Sequence, residues 1–192
     1  VITSQHKSSI SNIEHIYFRQ SIDGISIIGT ESSIHIYPDE TLLKANFGFK
    51  KSITDKVIGA KTPKLSAKLA IQRVAQQMGY YQSGGLIALP KASIPNSDHV
   101  FSGAGISEAD IPVKLVYVKL EQSKFVLAWE LSIKETKSSD WYNFYVDAST
   151  GKIISKNNWT VNCLKEHDHS THNKTKKQKA FATVKNKSTT QN

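Results

Sequence analysis

The sequence predicts an α+β fold made of two small antiparallel sheet modules, a helix packed on the second module, and a flexible basic C-terminal tail. Two stretches in which apolar and polar residues alternate between turn signals indicate the sheets. A stretch with a helical period lies between them, and a helix followed by an antiparallel meander is typical of α+β proteins. We therefore divide the chain into modules at residues 1–55 and 56–162 and a tail at residues 163–192.

The first module begins with a predicted β-hairpin. Its first strand, residues 15–20, would place His15 and Tyr17 on one face, because successive side chains of a strand point to opposite faces. Asp23-Gly24 would form the turn, since glycine accepts a positive φ. A second strand is predicted at residues 25–37 and, after a turn that contains Pro38, a third at residues 42–47.

The second module begins with a predicted helix at about residues 66–78. Ser66 can cap its first turn, and Gly79 is of the type that ends helices. Apolar residues at helical spacing predict one buried face, formed by Ala67, Ile71, Val74, Ala75 and Met78. Residues 80–112 show no sustained period. We expect a long loop there that is either functional or ordered by a partner.

Four strands are predicted to complete the second module, at residues 113–120, 124–133, 141–146 and 152–159. The last two would be joined by the turn at residues 147–151. In that turn we expect Asp147 to accept backbone hydrogen bonds, Thr150 to close the turn and Gly151 to take the left-handed conformation. This reading of Asp147 and Thr150 is structural rather than catalytic.

The residues of both sheets resemble a family of protease pro-regions. In the first module, Phe18-Arg-Gln20 is followed by a hydrophobic residue, Asp-Gly, an aliphatic run and Ser33-Ile-His-Ile36. This order resembles the pro-region module of the fungalysin and thermolysin zinc metallopeptidases over residues 12–53. In the second module, Leu127-Ala-Trp-Glu-Leu131 and the later Val-Asp-Ala-Ser-Thr-Gly at residues 146–151 resemble the PepSY module of the same pro-regions over residues 111–159.

This resemblance implies a function. A fungalysin-type pro-region would act as an intramolecular chaperone and inhibitor of a secreted zinc metalloendopeptidase and be removed on activation. The implied partner is the catalytic domain, the implied location is secreted or the cell envelope, and the zinc would belong to the catalytic domain, with no cofactor in this chain. A stand-alone PepSY-type binding or protease-inhibitor module at the cell surface is the alternative.

Catalytic motifs are missing from the sequence. It has no His-Glu-x-x-His zinc helix, no Gly-x-Ser-x-Gly element and no Gly-rich phosphate loop. We therefore predict a non-catalytic chain without catalytic or cofactor-binding residues. Metal-ligating residue types cluster at Cys163, His167, His169 and His172. Three interpretations stay open for this cluster: a solvated linker, adventitious metal capture, or a ligand that reaches the zinc of the protease.

Much of the formal charge of +9 lies in the tail, where residues 164–192 carry seven lysines and two acidic residues. This tail has no arginine and one aromatic residue, so it lacks the stacking surface of single-strand binders, and we predict no nucleic-acid partner. No run approaches the roughly 18 apolar residues of a membrane helix, so we predict no membrane insertion. The start at Val1, without a basic-then-apolar leader, suggests a processed or excised piece.

Histidines and aromatic residues are the remaining candidates for a role at a surface. His15 and His35 are predicted to face the same sheet surface or its edge, where either a pH-sensitive pair or a hydrogen-bonded structural pair fits, because imidazole titrates near neutral pH. Trp129 is expected in the core, whereas the core and the surface both stay open for Trp141 and Trp159. An exposed aromatic side chain would mark the surface that faces the protease.

Overall fold

Two β-sheets and one α-helix make up the structure, a computed structural model that describes residues 1–90 and 97–160. Both sheets lie within one unit of the chain, Val1–Val161. In chain order the elements are β1 (Ile2–Lys7), β2 (Glu14–Phe18), β3 (Ser21–Ile22), β4 (Ile25–Ile27), β5 (Ser32–Ile36), β6 (Leu42–Asn46), α1 (Ala67–Met78), β7 (Ala88–Leu89), β8 (His99–Phe101), β9 (Ile111–Lys119), β10 (Phe125–Lys134), β11 (Trp141–Asp147) and β12 (Ile153–Asn158).

The first sheet has four antiparallel strands in the order β1-β2-β5-β6. Its central pair, β2 and β5, was predicted from the alternation of residues, and so was β6. Strand β1 was not predicted, because its residues, Ile2–Lys7, are mostly polar and carry no apolar alternation. We call this four-stranded sheet the first sheet.

The predicted single strand at residues 25–37 is wrong, because the chain bends there and changes sheet. Gly29 has a φ of +85°, and the hydroxyl of Thr30 donates a hydrogen bond of 2.7 Å to the carbonyl of Ile27. The segment before the bend, β4, forms a short hairpin with β3 and pairs in parallel with β9 of the larger sheet. The predicted Asp23-Gly24 turn is confirmed, since both residues have a positive φ, as a type I′ hairpin turn requires.

The larger sheet has eight strands, with β12-β11-β10-β9-β4-β3 as its main path. The predicted meander of β9 to β12 is confirmed by antiparallel pairings in which Trp129 lies opposite Leu115 on one side and Val146 on the other. The β11–β12 pairing is antiparallel too, with one register shift between Tyr145 and Val146. The stretch at residues 80–112 holds more structure than the predicted loop. Strands β7 and β8 pair with each other, β8 also pairs with β9, and β9 begins at Ile111.

Helix α1 forms as predicted. The Ser66 hydroxyl accepts a hydrogen bond from the backbone N–H of Leu69 at 3.3 Å, and Gly79 ends the helix in the left-handed conformation with a φ of 68°. The buried face consists of Ala67, Ala70, Ile71, Val74 and Ala75, with Met78 partly buried. Burial of Ile71 and Val74 stabilises the fold by about 1.5–3 kcal/mol each, and the helix thereby holds to the larger sheet.

Polar contacts fix the helix against the β11–β12 turn. The Gln77 side-chain amide donates to the carbonyl of Gly151 at 2.8 Å and accepts from the N–H of Ile153 at 3.2 Å. At the other end of the helix, the Trp129 indole donates to the carbonyl of Leu65 at 2.9 Å. The helix and the larger sheet are therefore joined by hydrogen bonds at both ends of the helix as well as by the core.

Candidate docking surface

The first sheet lies outside both hydrophobic cores of the described residues. One core joins α1 to the larger sheet, and a smaller one covers part of that sheet's other face. Neither contains a side chain from β1, β2, β5 or β6. The apolar side chains of the first sheet are half-buried or exposed and share one face, as the pairs Ile16–Ile34 and Ile36–Leu42 establish. We call this surface the apolar face.

Three phenylalanines form an aromatic patch at one end of the apolar face. The ring centroid of Phe18 lies 6.3 Å from that of Phe47 and 5.7 Å from that of Phe49, and the last two are 5.8 Å apart. Phe47 is 62% exposed and Phe49 is 48% exposed. Gly48 allows this arrangement, because a Cβ there would collide with the carbonyl oxygen of Glu31. The Phe-Gly-Phe sequence could have suggested the patch, but the sequence prediction missed it.

The opposite face of the first sheet carries a row of basic side chains. His6 is opposite His15, His15 is opposite His35, and His35 is opposite Lys44, so each strand contributes one member. The prediction that His15 and His35 share a surface is confirmed, and their Nδ1 atoms lie 2.7 Å apart in a hydrogen bond. We call His6, His15 and His35 the histidine row. Partial burial, and then the neighbouring His35 and His6, hold the pKa of His15 below its ordinary value of 6.5.

The three tryptophans divide between the core and the surface. Trp129 is 4% exposed, which confirms that it belongs to the core. Trp141 and Trp159 are 44% and 53% exposed, and their ring centroids are 6.5 Å apart at the β11–β12 edge of the larger sheet. Tyr17 is exposed as well, beside the histidine row. The surface thus holds an exposed tryptophan pair in addition to the aromatic patch.

The β11–β12 turn has the structural role that the sequence predicts. Oδ1 of Asp147 accepts hydrogen bonds from the N–H groups of Ser149 and Thr150 at 2.8 and 2.7 Å. The Thr150 hydroxyl accepts from the N–H of Lys152 at 3.3 Å, and Gly151 has a φ of 75°. These contacts use Asp147 to close the turn, as an Asx-type turn does.

The strongest perturbations among titratable groups fall on tyrosines. Burial, and then a hydrogen bond to Glu135, raises the pKa of Tyr80, whose hydroxyl lies 2.6 Å from the Glu135 carboxylate. Burial, and then the Glu130 carboxylate, raises the pKa of Tyr145 in the same direction. A raised pKa keeps a phenol protonated at neutral pH, whereas a base or a nucleophile needs a lowered one. These tyrosines therefore act as hydrogen-bond donors: Tyr145 joins β11 to β10, and Tyr80 joins the chain after α1 to the residue after β10.

The candidate metal ligands Cys163, His167, His169 and His172 lie outside the described residues, as does the predicted flexible basic tail. Within residues 1–90 and 97–160, no three histidine, cysteine or acidic side chains are grouped so as to hold a metal ion. Helix α1, at 12 residues, falls short of the length that crosses a membrane, and the described part of the chain contains no longer helix.

The helix and the meander match a known protein family. Residues 64–157, which run from just before α1 into β12, match the family described as "Peptidase propeptide and YPEB domain". This part of the chain is a PepSY domain. The match begins at residue 64, so the first sheet lies outside it, and the predicted boundary between the modules at residue 55 stays a prediction.

Two relatives extend the similarity beyond the PepSY domain. The chain is 26% identical over 154 residues to "Extracellular metalloproteinase 5" of Arthroderma otae, which covers 78% of this chain and 23% of the relative. It is 21% identical over 165 residues to "Extracellular metalloproteinase mep" of Aspergillus fumigatus, covering 80% of this chain and 24% of the relative. The chain thus spans about a quarter of the length of these relatives, and both alignments are longer than the PepSY match.

A solved structure gives a further similarity, the "Bacillus megaterium YpeB C-terminal domain". It matches with a TM-score of 0.42 and 12% sequence identity, over 82% of this chain and 55% of the other.

Proposed function

We propose that the chain is a pro-region that binds the catalytic domain of a secreted zinc metalloendopeptidase, assists its folding and keeps it inactive until removal. One observation carries the proposal: the apolar face of the first sheet, with the aromatic patch, takes part in neither hydrophobic core. Exposed apolar surface of this kind marks an interaction site in soluble proteins. The PepSY domain and the alignments with extracellular metalloproteinases support a protease as the partner.

Binding energy explains how one surface could serve both folding and inhibition. A chain that binds the native catalytic domain and not its unfolded form stabilises the native form by mass action. Covalent linkage in a precursor gives an effective concentration of about 1 mM, so even a dissociation constant of about 1 μM adds about 4 kcal/mol. Cleavage of the linkage removes this advantage by dilution, and the zinc and the catalytic residues belong to the partner.

The two parts of the chain have different tasks in this proposal. Residues 1–55 supply the docking surface, although their β3–β4 hairpin belongs to the larger sheet. That shared hairpin connects the first sheet to the PepSY domain, whose core and helix contacts provide a rigid support. Preorganised surfaces bind more tightly because less conformational entropy is lost on binding.

Inhibition in trans tests the proposal. The coding sequence contiguous with this chain is read for a His-Glu-x-x-His motif, and the mature catalytic domain it encodes is mixed with the 192-residue chain. We expect inhibition of peptide hydrolysis at or below about 1 μM, and little loss on raising the salt concentration, because apolar contacts are not screened. Full peptidase activity with a folded chain at that concentration would overturn the inhibitor role.

If the chain is instead a stand-alone binding module, other outcomes are expected. Its coding sequence would lack the catalytic motif, and its binding to anionic surface polymers would rest on charge. Such binding weakens steeply as the Debye length falls to about 8 Å at physiological salt. A refolding experiment tests the chaperone role separately: the unfolded catalytic domain should regain more activity with the chain than with an equal amount of unrelated protein.

A further inference from the structure

The histidine row and the apolar face lie on opposite sides of the same strands. β2 carries His15 on one face and Ile16 and Phe18 on the other, and β5 carries His35 and Ile34 in the same way. These two strands are the centre of the first sheet. Any separation of β2 from β5 on the histidine side therefore also disturbs the apolar face.

The contact between His15 and His35 depends on their protonation. Their Nδ1 atoms are 2.7 Å apart, so one nitrogen donates its proton and the other accepts with a lone pair. If both rings are imidazolium ions, both nitrogens carry a proton and the acceptor is gone. The two positive rings then meet edge to face with their centroids 4.8 Å apart, and like charges on directly opposite strand residues are destabilising.

Neighbouring charges do not compensate a doubly protonated pair. His6 stacks on His15 from one side with ring centroids 5.1 Å apart, and Lys44 is opposite His35 on the other side. The ion pairs among the described residues are Arg19–Glu31 and Lys134–Glu108, so no histidine of the row is paired with a carboxylate. The remaining titratable groups of these strands and their turns are Lys7, Glu14, Tyr17, Tyr37, Asp39 and Glu40.

The positions of Lys7, Glu14, Tyr17 and Asp39 leave the positive charge of the row uncompensated. By strand register, Glu14 and Lys7 lie on the side of the apolar face, and the Glu14 carboxylate accepts a hydrogen bond from the Gln5 side chain. The Asp39 carboxylate accepts a hydrogen bond from the Thr41 hydroxyl in the β5–β6 turn. The Tyr17 ring lies 5.9 Å from the rings of His6 and His35. An aromatic ring attracts a cation but carries no net negative charge, so it does not neutralise the repulsion between two neighbouring imidazolium ions. Acidification thus adds positive charge to a row that already ends in Lys44.

We propose that the histidine row is an acid-sensitive switch that loosens the pairing of β2 with β5 and so releases the apolar face from its partner. The loosening is a property of this chain alone, whereas the release rests on the docking function proposed above. The pKa of His15 is lowered in the folded chain, so the unfolded chain binds the proton first as the pH falls. The stability that the neutral His15 contributes is therefore fully present above about pH 6.5 and is lost as the pH falls through its lowered pKa.

Hydrogen exchange of the full chain, with a metal chelator present, tests the loosening directly. Peptides from β2 and β5 are compared with peptides from β9 and β10 between pH 7.5 and pH 5.5, after correction for intrinsic exchange rates. We expect protection of β2 and β5 to fall at least about tenfold while that of β9 and β10 changes less than about threefold. Equal changes in both sheets, or none, would overturn the switch.

Variants test whether the histidine row causes the loss of protection at low pH. His15→Gln should abolish the pH dependence, whereas His99→Gln, which alters a histidine on β8 outside the row, should leave it intact. If His15→Gln does not fold, Lys44→Glu gives a second test, because a carboxylate opposite His35 should move the transition to lower pH. A transition that stays unchanged in Lys44→Glu, or persists in a folded His15→Gln, would contradict the proposal.

Inhibition of the catalytic domain at pH 7.5 and pH 5.5 then separates the two proposals. If exchange shows the switch but the chain inhibits at neither pH, the docking function fails and the switch stands. If the chain inhibits equally at both pH values and exchange shows no change, the switch fails and the docking function stands. Inhibition that weakens at least about tenfold at pH 5.5 in the native chain but not in His15→Gln supports both.

Discussion

Replacement of Phe47 by alanine should weaken binding to the catalytic domain without unfolding the chain. A phenylalanine side chain buries about 150–250 Å² when fully enclosed. Since Phe47 is 62% exposed, docking could remove about 120 Å² more from water. At about 25 cal/mol per Å² this corresponds to about 3 kcal/mol as an upper value, and partial enclosure would give about half of it.

The expected result is a rise in the inhibition constant of about 10- to 150-fold, since each 1.4 kcal/mol is tenfold. The assay is a titration of peptidase activity with native and Phe47→Ala chains, with thermal unfolding of each chain measured in parallel. Tyr81→Ala is the matched control, because Tyr81 is 75% exposed and lies outside the first sheet. If Phe47→Ala stays folded and inhibits within about threefold of the native chain, the aromatic patch is not the docking surface.

Three further predictions concern the scaffold and are measured by chemical denaturation. Ile71→Ala should lower the free energy of unfolding by about 2–5 kcal/mol, because Ile71 is fully buried in the core beneath α1; a loss below about 1 kcal/mol would contradict that packing. Ser66→Ala should lower the free energy of unfolding by about 1 kcal/mol because the helix cap is lost, and Ser66→Asp should retain the native value. Equal stability of the native, Ser66→Ala and Ser66→Asp chains would show that the cap bond is unimportant. Gly151→Ala should cost at least about 1–2 kcal/mol, because its φ is 75° and its Cβ would meet Arg73 and Leu65; a neutral effect would exclude that strain.

Local signals were enough to predict α1 and the β9–β12 meander of the PepSY domain, but not β7 and β8. The Ser66 cap, the helical stripe and Gly79 fixed both ends of α1, because caps and periodicity act within a few residues. Strands β9 to β12 also followed from local alternation and from the Asp147–Gly151 turn. Their aromatic and β-branched residues favour extended structure wherever the chain folds.

The first sheet was harder to predict, because long-range pairing decides its shape. Residues 25–37 carry alternating isoleucines at both ends and so resemble one strand, and the parallel pairing of β4 with β9, far along the chain, divides them. Gly29 was the local sign of a bend, since an isolated glycine in a strand often marks a bulge or a sharp turn. Strand β1 has little apolar character, so sequence reasoning could not add His6 to the pair His15 and His35.

Exposure was the main property of the candidate surface that periodicity could not predict. Alternation indicates which residues share a face, but not whether another element covers that face. Trp129 and Trp141 both occur in well-formed strands, and yet one is buried below the helix and the other is exposed at an edge. Sequence alone likewise did not indicate whether Phe47 and Phe49 are buried. They are exposed because neither hydrophobic core extends to the first sheet.

Photo-crosslinking tests the docking proposal most directly. The photoreactive residue benzoylphenylalanine replaces Phe47 in one chain and Tyr81 in another, and each chain is irradiated with the catalytic domain at pH 7.5. We expect a covalent product from position 47, mapped by mass spectrometry to one surface of the catalytic domain, and little from position 81. Equal yields from the two positions, or no product from position 47 in a chain that still inhibits, would contradict docking through the first sheet.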